Sequence, residues 1–300
     1  MTRVLVTGAT GFIGQHVLPV LVARGHEVHA VSSRAHSRPA QGVAWHHADL
    51  LKSGASARLA DRIRPTHLLH LAWYAEPGRY WTAPENFEWV AATLQLLQAF
   101  HGRGGQRAVM AGTCAEYEWG SGVCSEATTP LKPATPYGAC KHATQLLLAA
   151  YSQATGLCSA WGRVFHLYGP GEKPQRLVPQ VIGALREGKP ARCTSGEQVR
   201  DYLHVADVAQ AFVTLLDSPQ QGAVNIGSGQ PVTIKQIVME IAAQLNRPDL
   251  PALGALATPP GEPHEIVADA SLLRSLGWSQ GFGLRDGVRQ TIEWWKGRPA

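Results

Sequence analysis

The chain has 300 residues, 45% of them hydrophobic and 16% charged, which excludes a disordered polypeptide and is enough for one main domain with a smaller appendage. A net charge of +5 invites an anionic partner, yet the Lys and Arg residues are scattered rather than clustered, which argues against nucleic-acid binding. The cysteines Cys114, Cys124, Cys140, Cys158 and Cys193 form no C-x-x-C pair and no apolar run approaches the ~18 residues that span a bilayer, so a cytoplasmic protein with no disulfide framework, metal site or membrane contact is expected.

Short β-branched runs alternate with helical patterns from the first residues. RVLVT at 3–7 precedes a helix from Phe12 to Arg24, EVHAV at 27–31, GVAWH at 42–46 and a helix ending before Arg64. HLLHLA at 67–72, a helix over 85–101, RAVMA at 107–111, a helix from Pro136 to about Ala154 and SAWGRVF at 159–165 continue the series. Repeated strand–helix units predict an α/β fold of Rossmann type: a doubly wound parallel sheet that binds ligands beyond the carboxyl ends of its strands.

After Gly169 the pattern loosens into YGPGEKPQ and then resumes with a helix, a strand-like VRDYLHV, another helix and VNIGSG. Thr233 with Gln236 three residues on predicts a capping box, and the chain ends in the helix GLRDGVRQTIEWW. The expected division is a dinucleotide-binding domain over 1–166, with a returning segment near 203–227, and a smaller C-terminal α/β substrate lobe over 167–202 and 228–300.

GATGFIG follows the first strand directly. Gly8, Gly11 and Gly14, with Thr10, Phe12 and Ile13 between them, let the backbone approach a pyrophosphate at a helix N-terminus. NAD-binding units usually place an acid at the end of the second strand, ~20 residues on, to take the ribose hydroxyls. Here Ser32, Ser33 and Arg34 stand there, with Arg38 close behind; hydroxyls and a guanidinium suit a 2′-phosphate, so NADP is expected over NAD.

TPYGACK places Tyr137 and Lys141 four apart, on one helical face, behind Thr135 as N-cap and Pro136 at the first helical position. A lysine one turn from a phenol stabilises the phenolate, which suits Tyr137 to acid/base work.

With these two motifs, and with HHADL, HLLHLAW, GTCAEY, RVFHLYGPG, VRDYLHVADVA and VNIGSG, the chain resembles the extended short-chain dehydrogenase/reductase family over essentially its whole length. That family holds nucleotide-sugar epimerases, dehydratases and reductases. The resemblance implies that Thr113 is the third catalytic residue beside Tyr137 and Lys141. It also implies that Asp49 and Leu50 lie near the adenine, that Leu71, Ala72, Trp73 and His166 border the cofactor, and that Lys141 binds the nicotinamide ribose. Trp73, Tyr80, Cys114, His166, Arg176 and Arg200 are the expected substrate contacts, Arg200 and Arg176 meeting a diphosphate. Arg200 could instead pair with Asp201 or Asp207. Trp89 stands where the relatives usually carry Asn, and the helices over 85–101 and 136–154 are those on which the family often builds a homodimer.

The reaction is narrowed by what is missing. The family's 4,6-dehydratases follow the catalytic Thr with an Asp-Glu pair, whereas Cys114 and Ala115 stand here, which disfavours dehydration. What remains is an NADPH-dependent reductase of a 4-keto nucleotide sugar or a C4 epimerase, with a reductase of a non-nucleotide carbonyl and a non-catalytic cofactor-binding regulator behind them.

Overall fold

β1 (Arg3–Thr7) points Val4 and Val6 into one apolar cluster and Leu5 into another, and all three are fully buried. A strand apolar on both faces belongs inside a sheet covered on both sides. The computed structural model, which describes residues 2–34 and 40–298, builds that sheet.

After β1 come α1 (Gly14–Ala23), β2 (Glu27–Ser32), β3 (Val43–His47), α2 (Ala55–Ile63), β4 (His67–His70), α3 (Glu85–His101) and β5 (Arg107–Thr113). A 3-10 turn (Cys114–Glu116), β6 (Gly122–Cys124), α4 (Pro136–Thr155), β7 (Cys158–Val164), β8 (His166–Tyr168) and α5 (Leu177–Arg186) follow. Next are β9 (Ala191–Arg192), β10 (Val199–His204), α6 (Val205–Asp217), β11 (Gly222–Ile226), β12 (Pro231–Thr233) and α7 (Ile234–Gln244). The last elements are β13 (Pro251–Ala252), β14 (Glu265–Ala268), α8 (Ser271–Ser275) and α9 (Leu284–Lys296).

Seven strands pair in parallel in the order β3-β2-β1-β4-β5-β7-β11. Val17, Leu18 and Leu21 of α1 and Val208, Phe212 and Leu215 of α6 cover one face; Leu59 of α2, Leu96 and Phe100 of α3 and Leu148 of α4 cover the other. The chain reverses its direction of winding between β1 and β4, so the crevice for a ligand opens at their carboxyl ends.

A second sheet runs β12-β10-β14-β6, with β8 also paired to β10. It draws β6 from the first half of the chain, and it lies under the cluster of α5, α7 and α9 that contains Ile182, Ile241 and Ile292. The capping box at the start of α7 forms: Gln236 N–H donates to Thr233 Oγ1 at 3.0 Å and Thr233 N–H to Gln236 Oε1 at 2.7 Å. Among the described residues no helix is long and apolar enough to cross a membrane.

Candidate active site

The turn between β1 and α1 sits at the reversal point because glycine alone fits there. Gly8 has φ of +66°, and a Cβ on it would lie 2.6 Å from the backbone nitrogen of Ala72. A side chain on Gly14 would collide with the carbonyl oxygen of Gly8, so α1 starts tight against the turn, at Gly14 rather than at the expected Phe12. No side chain caps α1, and the N–H groups of Phe12, Ile13 and Gly14 at its start have no backbone partner among the described residues, which leaves them and the positive end of the dipole for an anion. Thr10 and Gly11 are exposed and Phe12 and Ile13 half-buried beside them, while Leu71 and Ala72 turn beneath Gly8; these residues fit a dinucleotide diphosphate.

At the end of β2, Ser32 is used locally, its hydroxyl donating to Arg34 O at 2.9 Å and accepting from Arg34 N–H at 3.1 Å. Ser33 and Arg34 are exposed, and Arg34 makes no ion pair among the described residues. Arg38 lies outside the described residues. Asp49 closes a turn by accepting from Leu51 N–H at 3.1 Å, and Leu50 is packed into the core.

Thr113 ends β5, and Tyr137 and Lys141 stand one turn apart on α4. Thr135 caps that helix by accepting from Gly138 N–H at 3.1 Å, with Pro136 in the first turn. Gly138 is required because a Cβ would strike the carbonyl of Ala115; its absence lets α4 press onto the 3-10 turn and brings Tyr137 up to Thr113. Desolvation raises the phenol of Tyr137 above its ordinary range, Tyr80 adds to this and the Thr113 hydroxyl opposes it. Lys141 is buried, donates to Ala111 O at 2.8 Å, and is pulled by desolvation down to about 7.

Aromatic rings wall this centre. Tyr80 lies edge-on to Tyr137 at 4.9 Å, Trp81 does so at 5.8 Å, and Trp119 meets Trp81 at 6.2 Å. Trp73 covers Lys141, its ring centroid 3.9 Å from Nζ. Cys114 packs with Tyr117, Cys124 and Phe165, and burial pushes its thiol up to about 12, so it is neutral apolar wall.

Glu116 is the acid beside Thr113, and it is fully occupied. Buried completely, it accepts from Arg163 Nε at 2.8 Å, Trp161 Nε1 at 2.9 Å and Thr113 N–H at 2.8 Å.

The expected substrate residues gather on the second sheet and the loop after β8. His166 faces Tyr202 at 5.8 Å; desolvation, helped by Arg200 and Arg176, holds it down at about 3, and its buried Nδ1 has no partner among the described residues. Arg176, at the start of α5, lies 5.2 Å over the Tyr80 ring and has no salt-bridge partner among the described residues. Arg200 is 3% exposed and pairs with Glu262 at 2.8 Å, so its carboxylate is neither Asp201 nor Asp207. Those two instead hold backbone N–H groups, Asp201 those of Ser228 and Gly229 and Asp207 those of Gly281 and Phe282.

Sequence reasoning missed Glu262, Glu172 and Asn86. Glu262 sits in a Pro- and Gly-rich stretch that signals only a loop. Glu172 is buried with Oε2 unpartnered among the described residues, and desolvation raises its carboxyl to about 8. Asn86 is wholly buried and accepts from Trp73 Nε1 at 2.8 Å.

Comparison with known proteins gives this geometry its context. Residues 4–227 match the model of the NAD dependent epimerase/dehydratase family. A UDP-glucose 4-epimerase of Rhizobium leguminosarum bv. trifolii is 30% identical over 97% of this chain and 96% of its own. A dTDP-glucose 4,6-dehydratase of Xanthomonas campestris pv. campestris is 28% identical over 98% and 93%. Among solved structures, the UDP-glucose 4-epimerase of Thermus thermophilus in complex with NAD superimposes with a TM-score of 0.89 at 30% identity, covering 99% of both chains.

Proposed function

This chain belongs to the NAD dependent epimerase/dehydratase family, and on that premise we propose that it reduces the 4-keto group of a nucleotide-activated sugar, with NADPH preferred and Tyr137 as proton donor. The observation that carries this reading is that, beside the Tyr137–Lys141 pair, no free carboxylate stands next to Thr113 among the described residues. Dehydration needs further groups to protonate a leaving hydroxyl and remove a neighbouring proton. Cys114 is a neutral thiol and Glu116 is consumed by Arg163, Trp161 and the backbone, so neither can serve.

Thr113 hydrogen-bonds the substrate oxygen, Tyr137 transfers its proton to that oxygen, and Lys141 favours the phenolate left behind. A nicotinamide dinucleotide, held by Gly8 to Gly14, Leu71, Ala72 and Lys141, supplies the hydride when bound. The 2′-phosphate preference rests on Ser33 and Arg34 and on the lack of a carboxylate at the end of β2.

Arg176 and Arg200 hold the substrate diphosphate. Arg200 already has Glu262, whereas Arg176 has no carboxylate bonded to it among the described residues, which supports Arg176 as the freer charge. Exposed Phe87 on α3 and Leu146 and Leu147 on α4 are in keeping with a homodimer on those helices.

Incubation with a 4-keto-6-deoxy nucleotide sugar tests the reading directly: NADPH should be consumed mole for mole, and Arg34→Asp should lose the preference over NADH. Interconversion of two sugars without net cofactor use establishes instead the second reading, a C4 epimerase, which the 30% identity to the Rhizobium enzyme favours. Unchanged KM in both Arg176→Ala and Arg200→Ala would send the assignment to a carbonyl substrate without a nucleotide.

A further inference from the structure

An ammonium has three donors and, once buried, needs compensation for its charge. Lys141 makes one hydrogen bond, to Ala111 O at 2.8 Å, and forms no salt bridge among the described residues. The acid whose field reaches it, Glu116, is itself paired with Arg163. His70, the other titratable group facing it from the sheet, is held neutral by burial at about 3 and is bonded to Thr7 and Thr93. What lies against Nζ is aromatic: the Trp73 ring at 3.9 Å, with the Trp161 ring at 5.9 Å beyond.

Trp73 is fixed in that position from two sides. Its Nε1 donates to Asn86 Oδ1 at 2.8 Å, and the amide of Asn86 is oriented because its nitrogen donates to Tyr80 O at 2.8 Å and Ala83 O at 2.9 Å. Trp89 stacks on the indole at 6.2 Å and 29°. A ring so held is a rigid surface of negative quadrupole, and tryptophan offers the strongest such face.

We propose that Trp73, locked by Asn86 and Trp89, is a positioning residue that keeps the ammonium of Lys141 charged and in place beside Tyr137. The inference rests on the catalytic reading of Tyr137 and Lys141 given above. A ring face suits this task better than an acid. A carboxylate at that distance would take up the ammonium's hydrogen bonds and cancel the field that favours the phenolate, whereas the ring stabilises the charge and leaves two N–H donors free. Desolvation brings Lys141 close to neutrality near pH 7, with the field of Glu116 opposing it, so a further stabilising contact such as the ring face shifts its charge state there.

The test is an NMR titration of the full-length protein, without ligand, labelled with 13C at lysine Cε; Lys141→Met assigns the signal. Trp73→Leu should lower the midpoint of Lys141 by about one pH unit, tenfold in the proton equilibrium, and Trp73→Phe by a smaller amount. The alkaline limb of kcat for carbonyl reduction should move down in the same order. Midpoints equal to wild type in both variants overturn the proposal, and Trp73→Phe carries the test alone should the leucine variant not fold. Turnover in Lys141→Met separates the two readings: a near-normal kcat there removes the Tyr–Lys chemistry whatever the titration gives.

Discussion

Two cations are buried on either side of the 3-10 turn, and the protein treats them in opposite ways. Arg163, 1% exposed, meets the carboxylate of Glu116 at 2.8 Å and the hydroxyl of Tyr117 at 3.2 Å, and Tyr117 donates its own proton to Asn225 Oδ1 at 2.7 Å. Lys141, 5% exposed, has one carbonyl and two ring faces. The first network is closed: each main polar group has a partner, and it ties β5, β7 and β11 together. The second is open, with donors to spare and a charge that desolvation has made easy to lose. A buried charge fully met by its neighbours is architecture; one left short of partners is available for chemistry.

The largest effect expected on that contrast comes from breaking the closed network. Arg163→Ala leaves Glu116 buried without its counter-charge and should cost about 3–5 kcal/mol in urea unfolding, whereas Arg163→Met with Glu116→Gln should recover most of it. A single-variant loss below about 1 kcal/mol would dissolve the contrast.

Lys141→Met should behave in the opposite sense, with kcat falling about a hundredfold or more and the melting temperature unchanged or raised. Lys141 titrates near 7 in the folded chain against 10.5 for a free lysine, so the unfolded state binds more protons between those values and wild-type stability rises with pH across them. The stability advantage of the methionine variant should therefore be full below pH 7 and gone above 10.5.

Glu172 gives a pH signature of opposite sign and similar size. Its folded carboxyl titrates near 8 against 4.5 for a free one, so its contribution to stability declines as pH rises between them. Glu172→Gln should match wild type in thermal unfolding below pH 4.5 and exceed it above pH 8. As the baseline for all three, the exposed pair Arg24–Asp217 should be worth no more than about 0.2–1 kcal/mol in a double-mutant cycle, and less in high salt.

The open site was far more legible in the sequence than its supports. Gly8, Gly14, Thr135, Pro136, Tyr137 and Lys141 announce themselves because each acts within a turn or two of chain, where spacing alone dictates geometry. Val4, Leu5 and Val6 reveal a sheet covered on both faces for the same local reason. The partners were silent. Asn86 reaches Trp73 across the loop after β4, Glu262 reaches Arg200 from a distant proline-rich segment, and Glu116 meets Arg163 across two strands; no periodicity encodes such meetings. Glu116 shows this best, since by position it resembles a displaced catalytic acid and only its partners reveal a structural one.

The place of β11 in the seven-stranded sheet has a consequence for how the chain is made. β7 is complete at Val164, but the strand that covers its outer edge begins at Gly222. At roughly 5–20 residues per second, a ribosome leaves that hydrogen-bonding edge bare for seconds after the rest of the sheet has emerged. Bare parallel edges are templates for pairing with other chains. Arg107, at the start of neighbouring β5, anchors what comes late: its guanidinium binds the carbonyls of Leu215, Leu216 and Gln220, and so ties the end of α6 and the lead-in to β11 to the sheet beside the slot that β11 fills.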